Sequence, residues 1–237
     1  MTHTLAHPQR LYLIQVAALP PPANTPAVCY LVQMDDGMNI LIDSGIPTQL
    51  PPDMPALVRG PTVVDQLARL GLQPHDIDLM ICTHFDLDHA GQHAHFAQAE
   101  FIVQRTHYEF ARHHARFALT RPQWDQPTIR YRLVDGDLTL LPGLELIATG
   151  GHVPGHQSVL VRLPTIGPVL LTIDAVPDGA SFTPDRSPSP RDINAEEARA
   201  STCKLLDLAQ HERVALVIFG HDGKQWSTLK QAPDYYS

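Results

Sequence analysis

Short apolar runs rich in Leu, Ile and Val, each closed by Gly, Pro, Asp or Asn, recur along the whole chain. Runs of this length between turn residues predict strands, and where apolar positions follow one another without alternation the strand is covered on both faces. The first is Leu11-Tyr12-Leu13-Ile14-Gln15-Val16. Residues 28–34 and 38–43 flank Asp35-Asp36-Gly37, a turn triplet, and so predict a hairpin. Further strands are expected at 77–82, 101–103, 129–134, 138–141, 144–148, 158–163, 168–173 and 214–219.

Helical spacing is rarer. Val63, Val64, Leu67 and Leu70 share one helix face, with Gly71 as the stop. Residues 106–117 are expected to form a helix capped by Thr106, which places His107, His113 and His114 on a surface helix. Residues 195–208 form an amphipathic pattern. In Leu19-Pro20-Pro21-Pro22-Ala23-Asn24-Thr25-Pro26 the prolines fix φ and remove donors, so this stretch is a loop or extended segment. It serves as a stiff connector or as the wall of a pocket. Residues 51–60 and 177–190 also read as loops, as do 117–128, where Trp124 is expected to pack.

Chemistry enters where strands end. Residues 77–82 lead into His84-Phe85-Asp86-Leu87-Asp88-His89-Ala90-Gly91, a loop dense in metal-competent side chains. Positions 84, 86 and 88 of an extended segment share a face, whereas the adjacent Asp88 and His89 point apart, so one loop can serve two ion positions. Taken alone, such a loop is as readily a solvated turn. Three more fragments follow expected strands: Gly151-His152-Val153-Pro154-Gly155-His156, then Asp174, then His221. Each by itself reads as a cap or turn residue. Together they point to a site gathered at the carboxyl ends of strands.

The pattern His84-x-Asp86-x-Asp88-His89, followed by His152, Asp174 and His221, resembles the ligand pattern of the metallo-β-lactamase superfamily. The wording around it is similar to that of the N-acyl-homoserine lactone hydrolases, the quorum-quenching lactonases. The segments that carry this second likeness are Asp86-Leu87-Asp88-His89-Ala90-Gly91, Ile102-Val103-Gln104-Arg105, Pro154-Gly155-His156-Gln157-Ser158, Leu170-Leu171-Thr172-Ile173-Asp174-Ala175 and Phe219-Gly220-His221-Asp222.

The resemblance implies an αββα sandwich, two mixed β-sheets flanked by helices, as a single hydrolase domain over 1–237. It implies two divalent ions, zinc in the first instance. One is held by His84, Asp86 and His152, the other by Asp88, His89 and His221, with Asp174 bridging. A metal-bridging hydroxide would then open a lactone, with Asp88 as the catalytic proton carrier. Asp43 is expected to support the ligand loop or to be a turn residue, and His156 to orient the His152 loop.

Two departures qualify this picture. The family motif has His where this chain has Asp86, and the added hard oxygen donor favours Mn or Fe over Zn at that position. The lactonases carry a Tyr three residues after the bridging Asp, and here Pro177 stands there. The alternatives are a hydrolase of another ester, thioester or phosphoester, an iron-dependent oxygenase using His84, Asp86 and His152, or a non-catalytic metal-binding protein.

Bulk properties narrow the partners. A chain of 237 residues buries a substantial core without disulfides. The net charge of -8, with Lys and Arg scattered, gives no footprint for nucleic acid, so a small-molecule substrate is expected. Cys29, Cys82 and Cys203 are odd in number and lack metal-binding spacing. With no leader-like start and no apolar run of membrane-spanning length, the expectation is a cytoplasmic protein off the membrane, monomer or homodimer.

Overall fold

In the computed structural model, residues 6–21, 23–50 and 57–237 are described, so part of the loop expected at 51–60 and Pro22 of the first proline cluster lie outside them. The strands are β1 (Pro8–Ala18), β2 (Pro26–Met34), β3 (Asn39–Ile42), β4 (Val58–Arg59), β5 (Leu79–Ile81), β6 (Glu100–Gln104), β7 (Arg130–Val134), β8 (Leu138–Leu141), β9 (Leu144–Ala148), β10 (Gln157–Leu163), β11 (Gly167–Ile173) and β12 (Leu216–Phe219). The helices are α1 (Val63–Arg69), α2 (Arg105–His113), α3 (Arg121–Trp124), α4 (Ala195–His211) and α5 (Gly223–Trp226).

Among the described residues these strands make a seven-stranded sheet in the order β4-β1-β2-β3-β5-β6-β7 and a five-stranded sheet in the order β12-β11-β10-β9-β8. Both are mixed: β3, β5, β6 and β7 run parallel, as do β11 and β12, and the other pairs are antiparallel.

Strand periodicity divides the apolar side chains into layers. Leu11, Leu13, Tyr30, Ile40 and Ile81 of the first sheet meet Leu144, Val159, Val161 and Leu171 of the second in one buried cluster. The opposite face of the first sheet, with Ile14, Leu31, Leu41 and Phe101, is covered by Val63 and Leu67 of α1, Ala111 of α2, and Trp124. The outer face of the second sheet, with Ile147, Leu160 and Leu170, is covered by Leu205 of α4. The sandwich is therefore helix, sheet, sheet, helix, and strands buried on both faces explain the uninterrupted apolar runs.

The helix expected at 106–117 breaks in two. α2 begins at Arg105 with no side-chain cap from Gln104, and His114 leaves the helix with an extended backbone, φ -96 and ψ 135. Its ring accepts the Arg116 N–H at 3.2 Å and opens a separate 3-10 turn over Ala115–Phe117. Arg116, carried by that turn, reaches Asp86.

Because β3 and β5 run parallel in one sheet and β9, β11 and β12 share a direction in the other, their carboxyl ends open along one edge of the sandwich. Five loops therefore meet at that edge. Their closeness is visible at Gly91, where an added Cβ would lie 2.1 Å from Pro47 N. Ile173, a β-branched residue held at φ 53, turns the chain out of β11 immediately before Asp174.

Candidate metal centre

Seven side chains from four loops converge here. After β5, the loop supplies His84, Asp86, Asp88 and His89; after β9, His152; after β11, Asp174; after β12, His221. The donor atoms fall into two sets, His84, Asp86, His152 and Asp174 in one, Asp88, His89 and His221 in the other.

In the first set His84 Nε2 lies 3.4 Å from Asp86 Oδ2 and 3.7 Å from Asp174 Oδ2. His152 Nε2 lies 3.1 Å and 3.3 Å from the same two oxygens. In the second, Asp174 Oδ1 lies 3.3 Å from His89 Nε2 and 3.0 Å from His221 Nε2. Asp88 completes it, 3.8 Å from His89 Nε2 and 3.6 Å from His221 Nε2. Donors bound at about 2.0–2.2 Å to one ion stand about 3 to 3.6 Å from each other, so these separations suit an ion in each set with the two oxygens of Asp174 divided between them.

Hydrogen bonding gives the same answer. His84 Nε2, His89 Nε2, His221 Nε2 and Asp174 Oδ1 are buried with no hydrogen-bond partner. Several buried lone-pair donors facing one another without partners would be costly unless a cation satisfied them. The two clusters thus fit a dinuclear metal site.

The other ring nitrogen of each imidazole is held from behind. His89 Nδ1 meets Asp43 Oδ2 at 2.8 Å, His221 Nδ1 donates to Pro26 O at 2.9 Å, and His84 Nδ1 lies 3.1 Å from Thr83 Oγ1. His152 Nδ1 faces Asp192 Oδ1 at 3.5 Å. These backing groups fix ring orientation and keep Nε2 pointing inward. Asp43 also accepts from the Thr83 N–H at 2.8 Å and Thr83 Oγ1 at 2.6 Å, so it supports the ligand loop at two points. His156, fully buried, contacts Thr149 Oγ1 at 2.9 Å and accepts the Asp174 N–H at 3.3 Å, which ties the His152 loop to the end of β11.

Electrostatics favour cations. Burial alone would raise the Asp174 and Asp86 carboxyls, yet the imidazoles, and Arg116 beside Asp86, hold both well below the usual carboxylate range. Burial opposes charge on His89 and His221, but Asp174 and Asp88 outweigh it and raise both rings. A field that retains protons on imidazole also attracts divalent ions.

Three residues outside the ligand motifs shape the site. His107, expected on a surface, is fully buried: its Nε2 accepts the Phe85 N–H at 2.9 Å and its Nδ1 donates to Pro154 O at 2.9 Å. It clamps the two ligand loops together, and burial, with His84 nearby, lowers its pKa to about 3. His113 and His114 are exposed, as expected. Asp192 is held by buried Arg186 at 2.7 Å, and Arg186 in turn donates to Ala175 O, linking the His152 support to the Asp174 loop that follows β11. Arg116 grips Asp86 with Nε at 2.6 Å from Oδ1 and Nη2 at 2.5 Å from Oδ2. No local motif marks any of the three. Trp124 packs as expected, stacked on Phe85 with centroids 4.2 Å apart.

The clusters open into a cavity of about 530 Å³ lined by Asp86, Asp88, Arg116, His152, Asp174 and His221 and by apolar groups including Leu19, Pro26, Ile46, Leu57 and Leu119. The first proline cluster is therefore flanked by pocket-wall residues and is more than a connector. A smaller, more polar cavity of about 220 Å³ adjoins it and includes Pro177, Asp178, Arg186 and Arg191. Thr25 lines both, and among the described residues no Tyr lines either.

The sequence profile of the metallo-beta-lactamase superfamily matches residues 23–221. An N-acyl homoserine lactonase of a Bacillus species is 32% identical over 226 residues, covering 89% of this chain and 86% of that protein. The N-acyl homoserine lactonase AttM of Rhizobium radiobacter is 35% identical over 192 residues, 77% of this chain and 72% of its own. Among solved structures, a quorum-quenching N-acyl homoserine lactone lactonase superposes with a TM-score of 0.87 at 30% identity, covering 98% of this chain and all (100%) of the other. A Bacillus thuringiensis AiiA mutant with N-decanoyl-L-homoserine bound at its active site gives 0.85 at 29% identity, covering 97% and 100%.

Proposed function

Because this chain belongs to the metallo-beta-lactamase superfamily, we propose that it is a metal-dependent hydrolase that opens lactones of the N-acyl-homoserine lactone type. One observation carries the reading: both oxygens of Asp174 face different His/Asp clusters at the floor of a largely apolar cavity. Similarity to N-acyl homoserine lactonases over most of the chain supports it.

His84, Asp86, His152 and Asp174 Oδ2 would hold one divalent ion, and Asp88, His89, His221 and Asp174 Oδ1 the second, with zinc as the first expectation and Mn or Fe favoured where Asp86 supplies a hard oxygen. Two such ions supply Lewis acidity and a water acidified toward neutral pH. The remaining work falls to the chain. Asp88, whose side chain is 29% exposed toward the cavity, accepts the proton of the attacking water and returns it to the departing alkoxide. Leu19, Pro26, Ile46, Leu57 and Leu119 receive the acyl chain and exclude water around the ester. Pro177 offers no hydroxyl, so Thr25, Arg116 and Arg191 are the cavity donors outside the ligand set left for orienting the carbonyl.

The test is liquid chromatography of N-hexanoyl- and N-decanoyl-homoserine lactone after incubation with metal-loaded protein. Conversion to the ring-opened acyl-homoserine is expected. Absence of turnover at every chain length, with hydrolysis of a chromogenic phosphoester, thioester or unstrained ester instead, would reject the lactone assignment and leave the hydrolase.

A further inference from the structure

The two ion positions are built from similar donors, yet one of them already has a cation of the protein's own against it. Arg116 Nη2 lies 2.5 Å from Asp86 Oδ2 and 2.9 Å from His152 Nε2, two of the four donor atoms of the first position. No guanidinium or ammonium approaches the second set among the described contacts, and there His89 Nε2, His221 Nε2 and Asp174 Oδ1 are free of hydrogen bonds. Arg116 is anchored where it stands. Its Nη1 donates to Arg191 O at 2.8 Å, and the 3-10 turn Ala115–Phe117 that carries it is fixed by the His114 ring on its own N–H.

We propose that Arg116 makes the two positions unequal: it is a positioning residue that keeps the Asp86 position weak and leaves the Asp88, His89 and His221 position strong. An ion at the first position must take the lone pairs of Asp86 Oδ2 and His152 Nε2 from Arg116 Nη2, and must then share its surroundings with a fixed positive charge. The guanidinium keeps its second contact, Nε to Asp86 Oδ1 at 2.6 Å. Asp86 can thus turn one oxygen to the ion and the other to Arg116, a division that the imidazole found at this place in the family cannot make. Charge-assisted hydrogen bonds are the stronger kind, so giving up the Nη2 contacts lowers affinity at the first position by about ten- to a hundredfold relative to the second. The inference rests on the dinuclear reading above and concerns binding, not turnover.

Metal-free protein is titrated with Zn²⁺ against a chromophoric chelator, and bound metal is counted by mass spectrometry, for the wild type, Arg116→Met and Arg116→Gln. Two equivalents separated by about tenfold or more are expected in the wild type. In both variants the weaker equivalent is expected to tighten by about tenfold while the stronger stays put. Asp86→Ala should remove the weak equivalent alone. Equal affinities in the wild type, or weakening of the second equivalent in both Arg116 variants, would overturn the proposal and leave the hydrolase reading intact. Failure of the wild type to bind any ion would overturn both.

Discussion

Replacing His107 by Phe keeps an aromatic ring between Phe85 and Phe117 but removes both nitrogens that clamp the ligand loops. The Phe85 N–H, buried, and Pro154 O, partly buried, lose their partners at 2.9 Å. At about 1–3 kcal/mol for each of the two orphaned groups, the variant is expected to lose roughly 2–6 kcal/mol at pH 7. The pH dependence sharpens the test. The ring titrates near 6.5 when unfolded and near 3 when folded, because burial excludes its charged form. Below pH 6.5 the unfolded chain takes up a proton that the folded chain refuses, so the stability this ring contributes is complete above 6.5 and drains away as pH falls toward 3. Between pH 7 and pH 5 the wild type should therefore lose about 2 kcal/mol that His107→Phe does not, at about 1.4 kcal/mol per pH unit. Other histidines are common to both proteins and cancel. Urea unfolding at the two pH values, in the presence of chelator and followed by far-ultraviolet circular dichroism and by the combined fluorescence of Trp124 and Trp226, measures the difference directly. A gap between the two proteins that stays constant from pH 7 to pH 5 would refute the assignment of His107 as a buried neutral clamp.

Asp43→Asn removes the carboxylate behind His89 and weakens the hold on Thr83; ion affinity measured by chelator competition should fall by about ten- to a hundredfold, with the fold kept. Gly91→Ala places a Cβ 2.1 Å from Pro47 N, a clash with backbone that cannot rotate away. A loss of more than about 3 kcal/mol in denaturant unfolding is expected, against about 1–2 kcal/mol for Gly37→Ala, where the added Cβ meets open space and the cost is that of the left-handed backbone alone, φ 92. Because Asp174 and Asp88 raise the His89 and His221 rings, protons compete with an ion there. Ion affinity should rise with pH by about tenfold per unit for each proton displaced, and a chelator titration that is flat from pH 6 to pH 8 would contradict it.

Much of the fold was legible because its signals are local. Apolar runs buried on both faces marked the strands of the sandwich, and α1 was announced by its apolar spacing, with Thr62 accepting the Asp65 N–H at 3.1 Å. Local cues failed at 106–117, where a run that looks helical is cut by the His114 backbone. The ring that caps the following turn belongs to the same residue, so nothing upstream signals the break.

The sequence by itself determined which side chains could bind ions and that they sit at strand ends, since donor chemistry is a property of residue type and strand ends are written in hydrophobic runs. The family resemblance already implied two sets of donors with Asp174 between them; only the tertiary structure decided what holds them in place. The two oxygens of Asp174 select their partners across two sheets, and Arg116 reaches Asp86 across 30 positions, and His107 reaches Phe85 across 22. Such contacts depend on how loops from different strands pack against one another, and a hydrogen bond between distant residues leaves no periodicity along the chain. That is why candidate ion ligands could be proposed from the residues, while the cation beside Asp86 and the buried ring that clamps the two loops had to be found in space.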